Sequence, residues 1–553
     1  MSTGEPRTLA ALLDGLVTAD PDATVVLDRS GEGFRPVSRA ALRAHVGAVR
    51  ACLVDAGVGA GDCVAVWLPN WSDALAWQFA AAGLGAHVVG LNTRYNVEEA
   101  AHVLRCARPR VVALATGFLG LDLCGRLAEA VAVNGGPAPL VVPVAGPGCA
   151  PPAPEDHDVG GGVALVDPSA ASPDPPARDG ADLAVAFTTS GSTGTPKLAA
   201  HREDAVVAHA LADAERLGLV PGDCAALVLP LSGVFGFSTA MAAIAGGGTC
   251  LLEPVFEPRA TLAAMADHRV THLVGGDDMV SRLTDAWRLG PVDLSSLRWL
   301  GLADFVGRTR EIAEWAAAEF GASTTGVYGS SEVFALALTW PVDVPAPRRW
   351  LGGGTPVSPA IRVRTTDPVT GEPTPAGEQG ELEISGPTVV DAYLRVPEAP
   401  GADLTADGWF RTGDLAVVHP DGVEYVCRMG DALRLSGFLV SPAEIETRLA
   451  ARDDVVTAKV VGVRGPDGGS KPIGYVVLAE GAATTEEELR GWCAAALARF
   501  KVPARVHVIS EMPMTSGTNG AKIRAATLRE WAARSEAAAA AGSAESGQGG
   551  PHA

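Results

Sequence analysis

Apolar positions recur along the first 140 residues in two alternating rhythms. Ser38–Ala56 carries them at three- and four-residue spacing, which predicts an amphipathic helix, and Gly57 and Gly59 stop it. Cys63–Leu68 (CVAVWL) is instead a short apolar run, as are His87–Leu91 (HVVGL) and Arg110–Ala115 (RVVALA). Each has strand length and β-branched residues. Asp73–Ala82 and Val97–Cys106 return to helical spacing between them. Buried strands alternating with helices are the mark of parallel β-α-β units. The pattern therefore predicts an α/β fold, with parallel-type sheets covered by helices.

Further along, the rhythm changes three times. Between Pro143 and Asp182 Pro, Gly, Ala and Asp dominate, which reads as a surface excursion or linker. The alternation then resumes to about residue 350. From Ile361 to Val426 short β-type runs are cut by Gly, Pro and Asp, and Asp431–Trp531 reads as a compact α+β unit. The expected organisation is a large N-terminal domain over 1–429, with a β-rich subdomain at about 355–429. A small mobile C-terminal domain over 430–534 and a disordered tail over 535–553 (SEAAAAAGSAESGQGGPHA) complete it.

Composition narrows the class of function. Hydrophobic residues make up 47% and charged residues 19%, so a large core is available and global disorder is excluded. Against 43 Lys and Arg stand 64 Asp and Glu, a net charge of −21 with no basic cluster, which excludes nucleic acid as the main partner. The nine cysteines are scattered without a C-x-x-C pair and read as small buried hydrophobes in a reducing compartment. No apolar run is long enough to suggest a membrane span, and the N-terminus lacks a signal-peptide design, so a cytoplasmic protein is expected.

Chemistry concentrates first in Ala184–Lys197, AVAFTTSGSTGTPK. A buried strand, Leu183–Phe187, runs into Thr188, Thr189, Ser190, Gly191, Ser192, Thr193, Gly194 and Thr195 and ends at Lys197. Small residues let backbone N–H groups approach phosphate oxygens, hydroxyls add donors, and the lysine adds charge. It is not a Walker loop, because Pro196 stands where that loop needs Gly before its Lys.

TTSGSTGTPK resembles the phosphate loop of the adenylate-forming superfamily of acyl-CoA synthetases, peptide-synthetase adenylation domains and luciferases. Further segments follow in the family's order. Gly326–Glu332 (GVYGSSE) is similar to Y-G-x-[TS]-E, and Gly408–Leu415 (GWFRTGDL) to W-[FY]-x-T-G-D. Arg428–Glu446 resembles the stretch joining large and small domains, and Thr515–Arg529 the terminal lysine segment. Upstream, Val58–Asn70 and Leu91–Glu99 fit as well, so the resemblance spans about residues 8–530 and is closest in pattern to acyl-CoA synthetases.

The resemblance implies roles. Tyr328, with Gly329 and Ser331, would flank the adenine; Asp414 would accept from the ribose hydroxyls, with Arg428 reaching the same sugar. Glu332 would hold Mg²⁺, which prefers oxygen ligands and bridges ATP phosphates. Lys522 would place positive charge on the reacting carboxylate and α-phosphate, with Lys197 at the phosphate loop. Gly430 and Asp431 would be the hinge about which the small domain rotates, bringing Ser436, Gly437 and Phe438 to the thioester-forming step with coenzyme A. The acyl pocket would draw on Gly233, Phe235, Phe237, Gly275, Gly301, Leu302, Ala303 and Val333, mostly apolar, for a hydrophobic or bulky acid.

Departures from the family's pattern leave alternatives open. In Pro230–Gly236 (PLSGVFG) Gly233 stands where the family has an aromatic or His gate, Leu302 replaces a tunnel Gly, and Gly430 replaces the hinge Asp or Lys. Arg434 stands for a family Lys, and Leu198 for the Gly after Lys197. The main expectation is an ATP-dependent acyl-CoA synthetase, fitting secondary metabolism by its GC-rich composition. The alternatives are a ligase that only converts a pre-formed acyl-adenylate from a companion ligase, an acyl-AMP ligase loading a carrier protein, and a non-catalytic adenylate binder. Val234–Met241 carries no acid, which disfavours an α-amino acid substrate.

Overall fold

The alternation of the first 140 residues folds as one side of a seven-stranded sheet. In the computed structural model, which describes residues 6–31, 33–149, 159–167, 169–170, 178–189, 196–304, 308–367, 370–394, 404–429, 433–435, 438–440, 442–464, 470–515, 522–523 and 525–546, the three strands read from sequence are Cys63–Trp67, His87–Gly90 and Val111–Thr116. They pair in parallel with one another, with Leu140–Ala145 and with Leu183–Thr189. All five side chains of Cys63–Trp67 are buried, as expected where helices cover both faces. The intervening helices are Arg39–Asp55, capped by the Ser38 hydroxyl, Ser72–Gly83, and Val97–Ala107, opened by an Asn96/Glu99 capping box.

A second sheet carries thirteen described strands. Its parallel half runs Thr24–Ser30, Thr249–Leu252, Cys224–Leu227, His272–Gly276, Trp299–Ala303, Ser323–Ser330. It then continues antiparallel through Phe334–Thr339, Gly353–Pro356, Gly422–Arg428, Phe410–His419, Gln379–Ser385 and Arg362–Thr366. The β-rich stretch expected from about residue 355 is thus an extension of the central sheet. Along Phe410–His419 buried and half-buried side chains alternate, since an antiparallel strand can leave one face to solvent.

The chain divides into two compact units, with residues up to Met429 in the first, apart from 190–196, and those from Gly430 in the second. The second has its own three-stranded sheet: Val455–Arg464 antiparallel to Ser470–Leu478, and Arg505–Val508 parallel to the latter. Helices Pro442–Ala450, Glu486–Ala494 and Ala525–Ser546 accompany it. The last helix reaches Ser546, into the segment 535–553 expected to be a disordered tail, and 547–553 lie outside the described residues. The helix continues this far because the alanine run has the highest helix propensity of any composition. Among the described residues no helix is long and apolar enough to cross a membrane, and Cys52, Cys106, Cys149, Cys224, Cys250 and Cys493 are free thiols.

Candidate active site

One antiparallel return strand gathers the first two motifs. Leu183–Thr189 is buried almost to its end, where the hydroxyls of Thr188 and Thr189 are buried with no hydrogen-bond partner. Leaving such groups unpaired is costly, so they suit an acceptor-rich ligand. Ser190–Thr195 lie outside the described residues. The strand Lys197–Arg202 returns with Lys197 opposite Thr189. The Lys197 ammonium lies 4.6 Å from the centre of the Tyr393 ring, and Tyr393 belongs to the short strand that pairs with Ala199 and Ala200. His201, further along the return strand, donates from Nε2 to the Ser331 carbonyl at 2.7 Å. Val390 N–H donates to the Glu332 carbonyl at 2.6 Å. Lys197 and the Glu332 segment are therefore anchored along one strand.

The turn after Tyr328 is tightly folded. A Cβ on Gly329 would fall 2.3 Å from the Phe334 carbonyl oxygen, so only glycine fits there. Phe334 and Leu336 both adopt positive φ, 61° and 66°, a conformation that bulky side chains rarely take and that clusters at functional sites. The Phe334 ring packs against two buried imidazoles, with centroids 4.1 Å from His201 and 5.0 Å from His209.

Tyr328 and Asp414 come from opposite halves of the central sheet and meet. The Tyr328 hydroxyl donates to Asp414 Oδ2 at 2.7 Å, and Asp414 N–H donates to the Thr412 hydroxyl at 3.1 Å. Asp414 also stands in register with Arg428, whose side chain lies outside the described residues. Tyr328 is only 8% exposed and packs with Ala199, Val333 and Tyr393, so the contact its hydroxyl makes was not visible in the sequence.

Strand phase divides the pocket candidates. Phe235 and Ala303 pack on one sheet face with Val274, Trp299, Ala335 and Leu336. Gly301 shares that face, since a Cβ there would meet the Trp299 indole at 2.3 Å. Leu302 and Gly275 belong to the other face: Leu302 packs with Leu273, Leu300 and Ile312, and a Cβ on Gly275 would meet Met279. This corrects the grouping of all of them around one pocket, because neighbouring strand residues point to opposite faces. Val333 is fully buried in the cluster around Tyr328. Phe237 turns to a small cavity lined also by Phe187, Leu231, Ser232 and Gln78. Gly233 precedes the helix Val234–Ala245 in an extended conformation, and a Cβ there would make only one ordinary contact, with Pro230.

In the second unit, Gly430, Asp431, Ser436 and Gly437 lie outside the described residues. Phe438 opens the strand Phe438–Val440, which pairs with Leu433–Leu435, and Lys522 pairs through its backbone with Thr515. No side-chain geometry is described for Phe438 or Lys522.

The helix Glu203–Leu217 holds residues that the motifs did not predict. Glu203, His209 and Asp213 are buried on it. Burial pushes the Glu203 carboxyl up to about 7 against the N–H of Leu9 that it accepts at 2.8 Å. It holds Asp213 well above the ordinary carboxyl range and lowers His201 and His209 to about 4. Among the described residues no three His, Cys, Asp or Glu side chains are grouped to hold a metal.

A profile of the AMP-binding enzymes matches residues 15–394, and one of the AMP-binding enzyme C-terminal domain matches residues 444–518. The chain belongs to the AMP-binding enzyme family. It is 30% identical over 482 residues to 3-[(3aS,4S,7aS)-7a-methyl-1,5-dioxo-octahydro-1H-inden-4-yl]propanoyl:CoA ligase of Rhodococcus jostii, covering 84% of this chain and 88% of that protein. It is 29% identical to sulfoacetate–CoA ligase of Cupriavidus necator, covering 92% and 95%. Among solved structures, the amide bond synthetase McbA from Marinactinospora thermotolerans superposes with a TM-score of 0.78 at 28% identity, covering 94% of this chain and 99% of McbA. By class this AMP-binding enzyme is an AMP-forming acid–thiol ligase.

Proposed function

We propose that this AMP-binding enzyme joins a bulky, largely apolar carboxylic acid to coenzyme A through an acyl-adenylate. A carboxylate oxygen of the acid attacks the α-phosphorus of ATP, and the bond to the pyrophosphate oxygen breaks. The coenzyme A sulfur then attacks the acyl carbon, its proton leaves, and AMP departs with the carboxylate oxygen that carried it. The observation that carries this reading is the strand Lys197–Arg202, which ties the phosphate-loop lysine to the Ser331–Glu332 segment.

In this reading Thr188, Thr189 and Lys197 bind the nucleotide's phosphates together with the loop 190–195. Asp414, oriented by Tyr328, accepts from the ribose hydroxyls, and Arg428 acts beside it. Glu332 would hold Mg²⁺, for which one carboxylate with nucleotide oxygens is an ordinary ligand set. When bound, Mg²⁺ neutralises charge on the phosphates. Lys522 stabilises the charge developing between carboxylate and α-phosphate. Gly430 and Asp431 form the hinge, and Ser436, Gly437 and Phe438 the thioester loop.

The acid's character rests on the wall of Phe235, Trp299, Ala303 and Leu336, which is apolar and bulky. The relatives alone do not decide it, since one is named for a bicyclic propanoate and another for sulfoacetate. Purified enzyme given Mg·ATP and pooled acids, with coenzyme A withheld, should form a single dominant acyl-AMP by mass spectrometry. Adding coenzyme A should convert it to the thioester. If synthetic acyl-adenylates yield thioester but ATP and acid never yield acyl-AMP, the enzyme is instead the non-adenylating ligase.

A further inference from the structure

Tyr393 is a buried aromatic residue, 8% exposed, that none of the motifs includes. It belongs to the short strand Ala392–Tyr393, which is only two residues long yet is pinned on both sides to Lys197–Arg202. Asp391 N–H donates to the Ala200 carbonyl and Leu394 N–H to the Leu198 carbonyl, each at 3.0 Å. Arg202 N–H in turn donates to Asp391 Oδ2 at 3.0 Å. The backbone that carries the ring is therefore fixed to the strand that begins at the phosphate-loop lysine.

Register then decides what the ring meets. Tyr393 stands opposite Ala199, and Lys197, two residues earlier on that strand, stands opposite Thr189. Directly opposed residues, and residues two apart, point to the same face of a sheet. Thr189, Lys197, Ala199 and Tyr393 therefore share one face. On it the Thr189 hydroxyl is buried without a hydrogen bond, and the Lys197 ammonium sits over the Tyr393 ring, 4.6 Å from its centre. The ring itself belongs to the buried cluster that contains Tyr328 and Val333.

A leucine could fill that cluster; what it could not supply is attraction for a cation. Lysine carries a point charge on a flexible four-carbon stem, and a π face confines where that charge rests. We propose that Tyr393 is a positioning residue for adenylation, its ring holding the Lys197 ammonium beside the Thr189 hydroxyl so that both meet the nucleotide's phosphates together. The ring does not touch the nucleotide. It acts through the lysine, by presenting the charge already in place. The inference rests on the reading of Lys197 as a phosphate-binding residue.

Binding of Mg·ATP, followed by titration calorimetry on the full-length enzyme, tests this without knowledge of the acid. The proteins compared are the intact enzyme, Tyr393→Phe, Tyr393→Leu, Lys197→Ala and the double variant Lys197→Ala/Tyr393→Leu; Tyr393→Met replaces the leucine variant if that one is insoluble. Tyr393→Leu should weaken binding by about tenfold, the scale of a partly desolvated cation–π contact, and Tyr393→Phe, which keeps the π face, by no more than about threefold. In the Lys197→Ala background the leucine substitution should change Kd by less than about twofold, because a residue acting through the lysine has nothing left to act on. The proposal is overturned if Tyr393→Leu binds like the intact enzyme, if Tyr393→Phe loses as much as Tyr393→Leu, or if the leucine effect with Lys197 present exceeds that without it by less than about fivefold. Should Lys197→Ala itself bind Mg·ATP as tightly as the intact enzyme, the reading of that lysine fails and takes this inference with it. Weakened binding in Lys197→Ala beside intact-like binding in Tyr393→Leu overturns this inference alone.

Discussion

Asp414 is buried at 4% exposure, and one of its oxygens is committed to the Tyr328 hydroxyl. A hydrogen bond to a charged acceptor contributes roughly 1.5–3 kcal/mol, and here it fixes the direction in which the carboxylate faces. Tyr328→Phe keeps the ring packing and removes only that bond. It should raise KM for ATP by roughly tenfold or more, as a loss of about 1.4 kcal/mol implies, with a smaller effect on kcat. Asp414→Ala should cost at least as much in kcat/KM for ATP. Steady-state kinetics with varied ATP checks both; an unchanged KM in Tyr328→Phe would mean that Asp414 does not meet the nucleotide. Individually these residues stood out in the sequence because each sits in a short motif of fixed spacing. Their contact did not, since 86 residues separate them and the antiparallel half of the sheet that joins them has no motif of its own.

Among the elements, the helix Glu203–Leu217 couples the site to the rest of the first unit. Its first residue, Glu203, accepts from the N–H of Leu9 at the start of the helix Leu9–Ala19. Burial raises this carboxyl from the ordinary 4.5 to about 7. A folded-state value above the unfolded one means that the group's stabilisation is complete below pH 4.5 and is lost as pH rises through 7. Glu203→Gln keeps an acceptor for Leu9 and cannot ionise. Its melting temperature relative to the unchanged enzyme should therefore climb between pH 5 and 7.5 and then level, with a limit of about 3 kcal/mol at about 1.4 kcal/mol per pH unit. Calorimetry across that range tests it, and a pH-independent difference would place the ionisation elsewhere. Buried polar residues of this helix escaped sequence reading because Glu, His and Asp on a helix ordinarily mark a solvated face. Likewise, Leu302 was grouped with Gly301 and Ala303 because a run of apolar strand residues does not reveal which face each takes.

At the scale of the whole molecule, the proposed chemistry is shared between two separately packed units. Thr188, Lys197, Glu332 and Asp414 belong to the unit ending at Met429, and Lys522 to the unit that begins at Gly430. In the sequence the two units differ in pattern, a β-α-β rhythm in the first and a changed rhythm in the second, whereas the extension of one sheet through thirteen described strands depends on pairings between distant segments. A lysine on a second unit can be removed without disturbing the packing around the first unit's motifs, so its loss isolates the step at which it acts. Electrostatic stabilisation by one well-placed group is worth about 10²–10³ in rate. Lys522→Ala should reduce acyl-AMP formation from acid and Mg·ATP by about that factor. Thioester formation from a synthetic acyl-adenylate and coenzyme A should stay within a few-fold, because Lys522 is proposed to act in the first step only. Single-turnover assays of the two half-reactions separate these outcomes. Equal losses in both would assign Lys522 to the integrity of the second unit, and an unchanged first step would require a different cation at the reacting phosphate.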